Sequence, residues 1–322
     1  MNAIMIMCHK NLDQVERLIN RCLSIETRIF LHIDKKFYVD ENRLLSFIEK
    51  FKGRVFLANE RISGCIDDRS LVDITMLMIK KAKNVEIEEN IHFNYYLLLS
   101  GQDYLVKDIN CINDELARNY PKPFIDCIGY YKGGWIEKKF SRNPLTQRIN
   151  KFLRRKYSTR KTIIWAGLKF LEISLRKFIN LLHMSDFYYF ARKKVNLYGG
   201  SAWWVLPDKA IDYILLNFNT KVSNRLLWTE TPEEVFFQTM VMRSSIKDLV
   251  ELSVKGSTYQ NCKTWSYFSD IDKAPVNHPY TFTANEYEKL INKGCWFARK
   301  FDLDVDVEIF ELLDKRLERD IK

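Results

Sequence analysis

Thr231-Pro232-Glu233-Glu234 runs directly into Val235-Phe236-Phe237-Gln238-Thr239, which sets two carboxylates at the start of an apolar helical segment. Thr231 can cap such a helix, Pro232 suits its first position, and the helix dipole stabilises the charges of Glu233 and Glu234. A carboxylate held ionised there is a ready general base. Plain dipole matching explains the pair as well, so its weight depends on what else the chain assembles around it. Two further acids stand where strands should end: Asp34 closes residues 27–34, and Asp103 follows Leu97-Leu98-Leu99-Ser100-Gly101-Gln102. Ligands of open α/β sheets sit beyond the carboxyl ends of the strands, so Asp34 and Asp103 are expected to face one crevice. Each also fits an ordinary turn residue. In Gly199-Gly200-Ser201-Ala202-Trp203-Trp204 the two tryptophans are adjacent in a strand and point to opposite faces, so at most one lines a crevice while the other packs in the core.

Positioning these groups requires a scaffold, and the apolar patterning supplies one. Residues 3–8 read as a buried strand, 12–23 as a helix through Val15, Leu18, Ile19 and Leu23, and 27–34 as a second strand. Strand, helix and strand with a crossover of this length form a parallel pair. A short strand at 55–57, a helix over 70–82, a central strand over 93–100, and strands near 124–128 and 203–206 follow. Helices are expected near 284–292 and 307–319. The expected fold class is α/β: one domain spanning 1–322, with a Rossmann-type, mostly parallel sheet flanked by helices.

The 322 residues, 47% hydrophobic and 14% aromatic, are ample for a packed core, and 11 Gly and 7 Pro without a Gly- or Pro-rich tract argue against a flexible linker. A formal charge of +10 calls for an anionic partner. Much of it lies in a basic, amphipathic helical insert at 141–185, where Arg148, Lys151, Arg154, Arg155, Lys156, Arg160, Lys161, Lys169, Arg176 and Lys177 face only Glu172. Aromatic and aliphatic residues interleave with them, and such a stretch can lie in the headgroup layer of an anionic bilayer. A helical hairpin packed on the domain with a solvated basic face fits 148–179 equally. Seven scattered cysteines without a C-x-x-C pair read as reduced thiols, and the apolar N-terminus is too short for a leader or a span. These features are those of a cytoplasmic protein, peripheral at the inner membrane face.

Six segments in order resemble the core-2/I-branching beta-1,6-N-acetylglucosaminyltransferase family, which also contains peptide O-xylosyltransferases. They are Ile6-Met7-Cys8-His9-Lys10-Asn11, Leu31-His32-Ile33-Asp34-Lys35-Lys36, Leu98-Leu99-Ser100-Gly101-Gln102-Asp103-Tyr104, Gly200-Ser201-Ala202-Trp203-Trp204, the segment starting at Pro232, and Phe297-Ala298-Arg299-Lys300-Phe301-Asp302. The resemblance implies a GT-A-like fold, a UDP-sugar donor, inversion at the anomeric carbon and a glycan or lipid-linked oligosaccharide acceptor, in a bacterial-type enzyme of surface polysaccharide synthesis that transfers GlcNAc. It implies Glu234 as the base. His9, Asp34, Asp103 and Lys300 then meet the donor, Lys300 at the diphosphate in place of a metal, and Asp126 with Trp203 or Trp204 meets the acceptor. No cofactor and no metal ligand are expected, since Asp103 stands alone where many GT-A enzymes carry Asp-x-Asp. The chain departs from the family in lacking an Arg about two dozen residues before Lys300; His278, Arg299 and Lys273 are the candidates for that second cation. It also carries Ile62-Ser63-Gly64-Cys65 where many relatives have Trp-Gly-Gly, which leaves the donor sugar open. Other readings of the same charge are a nucleic-acid-binding protein, which lacks a recognisable reading motif and leaves the carboxylates unexplained, and a glycan-binding family member without transfer.

Overall fold

The computed structural model describes residues 1–66, 68–131, 134–157, 163–253, 261–266 and 279–319. β1 (Asn2–Cys8), α1 (Leu12–Cys22) and β2 (Thr27–Ile33) form the expected unit, with β1 and β2 parallel from Asn2 opposite Thr27 to Cys8 opposite Ile33. α2 (Glu41–Lys50), β3 (Val55–Leu57), α3 (Ser70–Glu89) and β4 (Tyr95–Ser100) follow, then β5 (Asp103–Leu105), α4 (Ile109–Asn119), β6 (Phe124–Ile125) and β7 (Ile128–Gly129). Helices α5 (Trp135–Phe140), α6 (Pro144–Tyr157), α7 (Ile163–Leu181) and α8 (Asp186–Arg192) lead to β8 (Tyr198–Gly199), β9 (Trp204–Pro207), α9 (Asp208–Asn217), α10 (Lys221–Leu226) and α11 (Phe236–Val241). β10 (Thr264–Ser266), α12 (Tyr287–Ile291), β11 (Phe297–Arg299) and α13 (Glu308–Arg319) close the chain.

The main sheet has the order β3-β2-β1-β4-β9-β6, parallel from β3 to β4, with β9 antiparallel to both its neighbours. This is the mostly parallel sheet flanked by helices that the pattern predicts. Its strands alternate between two apolar layers. Ile4, Ile6, Leu97 and Leu99 pack with Val15, Leu18, Phe310 and Leu313 on one face; Ala3, Met5, Tyr96 and Leu98 pack with Val72, Ile79, Ile211 and Phe237 on the other. Both faces are covered, so these strands are continuous apolar runs rather than alternating ones. A second sheet, β10-β11-β5, places Asp103 opposite Arg299 across the antiparallel β5–β11 pair.

α2 and α4 were not among the expected elements. α3 runs seven residues past the expected end at 82, and Lys83 ties the added turns through Glu86 at 3.0 Å and Asp212 at 2.9 Å. The expected strand near 124–128 divides into β6 and β7, and the helix near 284–292 begins as a 3-10 turn, Ala284–Glu286, closed by a Thr283–Glu286 capping box. The cysteines are all free thiols, and burial raises Cys8 to about 12. Among the described residues no helix is long and apolar enough to cross a membrane.

Candidate functional site

The carboxyl ends of β1, β2 and β4 meet at one edge. There Asp34 receives Lys36 N on Oδ1 at 2.8 Å and Gly64 N on Oδ2 at 2.9 Å. Two residues earlier, buried His32 accepts Ile62 N on Nε2 at 2.9 Å, and desolvation lowers its pKa to about 4. The His-x-Asp pair therefore fastens the 62–64 loop to the end of β2. Each Asp34 carboxylate oxygen accepts one backbone amide, so the side chain braces this loop at the strand end where a donor contact is expected of it. Beside it a cleft of about 650 Å³ is lined by Lys35, Lys36, Phe37, Tyr38 and Arg61, among others. Glu234 is not on its wall.

Asp103 is fully buried. Ser100 N reaches its Oδ2 at 2.8 Å, Ser100 Oγ donates to Oδ1 at 3.0 Å, and Arg299 Nε lies 3.4 Å from Oδ1. Asp103, expected at the donor, holds Arg299 across the β5–β11 pair, a contact that the sequence pattern does not reveal. Burial raises the Asp103 carboxyl and lowers the Arg299 guanidinium, and each partner opposes the other's shift. Arg299 stacks over the Trp203 ring at 4.1 Å. Gly101 completes the turn: a Cβ there would lie 2.8 Å from Val15, while Gln14 Nε2 donates to Gly101 O at 2.8 Å and Phe301 O at 3.0 Å. One α1 side chain thus joins the Ser-Gly-Gln-Asp turn to the Arg299-Lys300-Phe301 segment.

Lys300, half-buried, has its pKa lowered by desolvation and then by the charges of Arg299 and Lys10. His9 is lowered by desolvation and then by Lys10, with Lys300 and Arg299 adding to the effect. Lys10 is itself paired with Asp302. His9, Lys10, Arg299 and Lys300 thus gather around one edge of the sheet, a concentration of positive charge that an anion would relieve. His278 and Lys273 lie outside the described residues.

A second region, joined to the first through Gly200 N on Glu234 O and through Trp203 under Arg299, carries the acids at 231–234. The expected continuous helix is a 3-10 turn, Pro232–Glu234, separated from α11 by Val235 at φ −133°. Thr231 sits in left-handed backbone at φ 46° and does not cap; its hydroxyl donates instead to Glu234 Oε2 at 3.0 Å. Lys139 Nζ lies 2.5 Å from the same oxygen and also contacts Thr231 Oγ1. Glu234 Oε1 has no hydrogen bond among the described residues, and the side chain is 35% exposed. Glu233 is buried. The broken start therefore separates the two acids, one inward and one outward. Lys139, stacked over Trp135 at 4.8 Å, was not anticipated: in sequence it is one of two adjacent lysines in a basic stretch.

Gly199 and Gly200 let this region close. Gly200 N donates to Glu234 O at 2.9 Å, while an added Cβ at Gly200 would fall on the Asp126 carbonyl and one at Gly199 on Trp135. Trp204 is fully buried against Phe237 at 4.9 Å, a core residue rather than an acceptor platform, whereas Trp203 is partly exposed and carries Arg299. Asp126 is also enclosed, with Asn261 N on Oδ1 at 2.8 Å. Asp302 Oδ1 receives Asp304 N at 3.3 Å, a local turn contact within Asp302-Leu303-Asp304. Among the described residues no three His, Cys, Asp or Glu side chains converge.

No family model matches the chain. It is 22% identical to the zebrafish (Danio rerio) beta-1,3-galactosyl-O-glycosyl-glycoprotein beta-1,6-N-acetylglucosaminyltransferase 4, over 98% of this chain and 69% of that protein. The mouse (Mus musculus) protein of that name is 30% identical over 38% of this chain and 30% of its own length. Xylosyltransferase sqv-6 of Caenorhabditis elegans is 21% identical over 94% of this chain, which spans about a third, 34%, of that protein's length. A Staphylococcus aureus TarS structure matches at TM-score 0.25 and 12% identity over 44% of this chain and 40% of its own, too little to bear on the fold. The two kinds of relative matched along nearly the whole chain, N-acetylglucosaminyl- and xylosyltransferases, are those that the six motifs resemble.

Proposed function

We propose that the chain transfers a sugar, GlcNAc being the first candidate, from a UDP-sugar to a hydroxyl of a glycan acceptor, with inversion at the anomeric carbon. The observation that carries this reading is the state of Glu234: Lys139 and Thr231 hold one carboxylate oxygen, and the other is open at a partly exposed site. In a direct displacement Glu234 Oε1 takes the proton of the acceptor hydroxyl while that oxygen bonds to the anomeric carbon, and the bond to UDP breaks with its electrons leaving on the diphosphate. One base suffices for inversion. Lys300 and Arg299 stabilise the departing charge as fixed cations, with Trp203 offering an apolar face to the sugar. Both cations are desolvated, which strengthens their interaction with an anion.

Glu234→Gln keeps the shape and removes the base. Transfer, read as UDP release over a panel of donors, should fall by roughly 10²–10⁴ with UDP affinity retained. Turnover equal to wild type would remove Glu234 from the base role, and UDP release with none of the donors would leave glycan binding without transfer. Activity should persist in excess EDTA; recovery only on adding manganese would replace the cations with a metal.

A further inference from the structure

α7 turns an apolar stripe outward and its one carboxylate inward. A surface helix normally turns its apolar stripe to the core and its charges to water. α7 does the reverse with its one carboxylate: Glu172 is fully buried, 3.1 Å from Arg142 and 2.9 Å from Lys169. Its outward stripe carries Phe170 (70% exposed), Leu171, Ser174, Phe178 and Leu181 (76% exposed), spaced as successive turns of one face. The stripe continues through exposed Leu182 and Met184 into the turn that Arg192 ties down by donating to His183 O at 2.9 Å. Lys177 and the exposed Arg192, Lys193 and Lys194 rim it.

A contiguous exposed apolar face marks an interaction surface, and its charge identifies the partner. From Lys138 to Ser185 the sequence contains thirteen Lys and Arg and one carboxylate, Glu172, which is paired inside, so this hairpin offers its partner no exposed acid. A second copy seated on the stripe would bring two sets of cations together. Nucleic acid would engage the cations and leave the leucines without a role. We infer that the α6–α7 hairpin docks on an anionic lipid bilayer, with Phe170, Leu171, Phe178 and Leu181 in the acyl boundary and the basic rim at the headgroups. The root of the hairpin is fixed to the base: Arg142 also pairs Glu230 at 2.9 Å, four residues before Glu234, and Lys139 pairs Glu234 itself. A docked hairpin therefore sets the Glu234 loop near the membrane, which suits a lipid-borne acceptor. That last step rests on the proposed reaction; the docking does not.

The test is co-sedimentation of the full chain with vesicles of mixed phosphatidylglycerol and phosphatidylcholine, against vesicles of phosphatidylcholine alone. The wild type should bind the anionic vesicles at least tenfold more tightly. Phe178→Asp with Leu181→Asp should abolish binding, and charge reversal at Arg192, Lys193 and Lys194 should weaken it, while the UDP-induced thermal shift of both variants remains that of the wild type. Glu234→Gln should bind vesicles normally, which separates failure of docking from failure of the reaction. Equal binding by the aspartate variant, no preference for anionic lipid, salt-sensitive binding to nucleic acid in its place, or a concentration-dependent dimer that those aspartates dissolve would each overturn the proposal.

Discussion

The region around Asp34, Asp103 and Arg299 and the region around Glu234 are held in different ways. In the region built from β1, β2, β4 and β11, the fixing groups are buried and fully engaged: His32 and Asp34 pin the 62–64 loop, and Asp103 sits beneath Arg299. Around Glu234 the holding groups are the Lys139 ammonium and the Thr231 hydroxyl, with Arg142 pairing Glu230 nearby, and Glu234 Oε1 has no hydrogen bond among the described residues. The first arrangement sets cations rigidly in low dielectric, as stabilising a leaving anion demands. The second holds a carboxylate by one oxygen and offers the other, as proton removal demands. The contrast is one of burial: Asp103 is fully enclosed in its contacts, whereas Glu234, the base of the proposed reaction, is partly exposed.

The largest expected effect is in the braced region. Asp103→Asn keeps the volume but leaves the Arg299 guanidinium, 11% exposed, without its counter-charge. Removing one partner of a buried pair costs about 3–5 kcal/mol. Urea unfolding should report that loss, with UDP affinity falling in the protein that remains folded. An unchanged unfolding midpoint would mean that Arg299 is not held by Asp103 and that the two regions differ less than described.

The second effect acts through pH on the same region. His32 has a folded-state pKa of about 4 against an ordinary value near 6.5, so between those limits the unfolded chain binds the extra proton. Stability present above pH 6.5 is therefore lost as pH falls toward 4, by about 3 kcal/mol in all. His32→Gln preserves an acceptor for Ile62 N and should flatten this part of the profile. Hydrogen exchange should show the 62–64 loop opening on acidification while the Glu234 loop keeps its protection. Equal opening of both would remove the contrast.

How much of this was legible in the sequence follows the same division. β1, β2 and β4 read clearly because both faces are buried and the runs are apolar throughout, and α1 carries a regular inward stripe. α2 was not read, although Leu44, Phe47, Ile48 and Phe51 recur at helical spacing and Asp40 caps it through Arg43 N at 3.0 Å; of its ten residues only Phe47 is fully buried. The Pro232 segment was located as a helix start, but its break at Val235 depends on the backbone of Thr231, for which the residue types give no warning. Asp34 and Asp103 were correctly placed at strand ends, but strand position says nothing of the 62–64 loop and the second sheet that engage them. Lys139 was missed because its partner lies 95 residues away, a contact that only the packing of α5 against the Glu234 loop creates.

The smallest effects, and the most discriminating, belong to two lysines, one in each region. Lys300 is lowered by desolvation and by neighbouring cations, so a bound diphosphate should raise it again; Lys300→Met should weaken UDP binding about tenfold, roughly 1.4 kcal/mol. Because only the protonated amine attracts the diphosphate, wild-type affinity should decline at alkaline pH before an ordinary lysine would titrate, and Lys300→Met should remove that decline. Lys139 touches no part of the crevice assigned to the donor. Lys139→Met should leave UDP affinity unchanged and lower kcat by about tenfold, through a Glu234 carboxylate held on Oε2 by Thr231 alone. The contrast lies in the split: one lysine read in donor affinity, the other in turnover. Were both variants to change donor affinity alone, Lys139 would belong to the donor region, and Glu234 would have no positioning partner of its own.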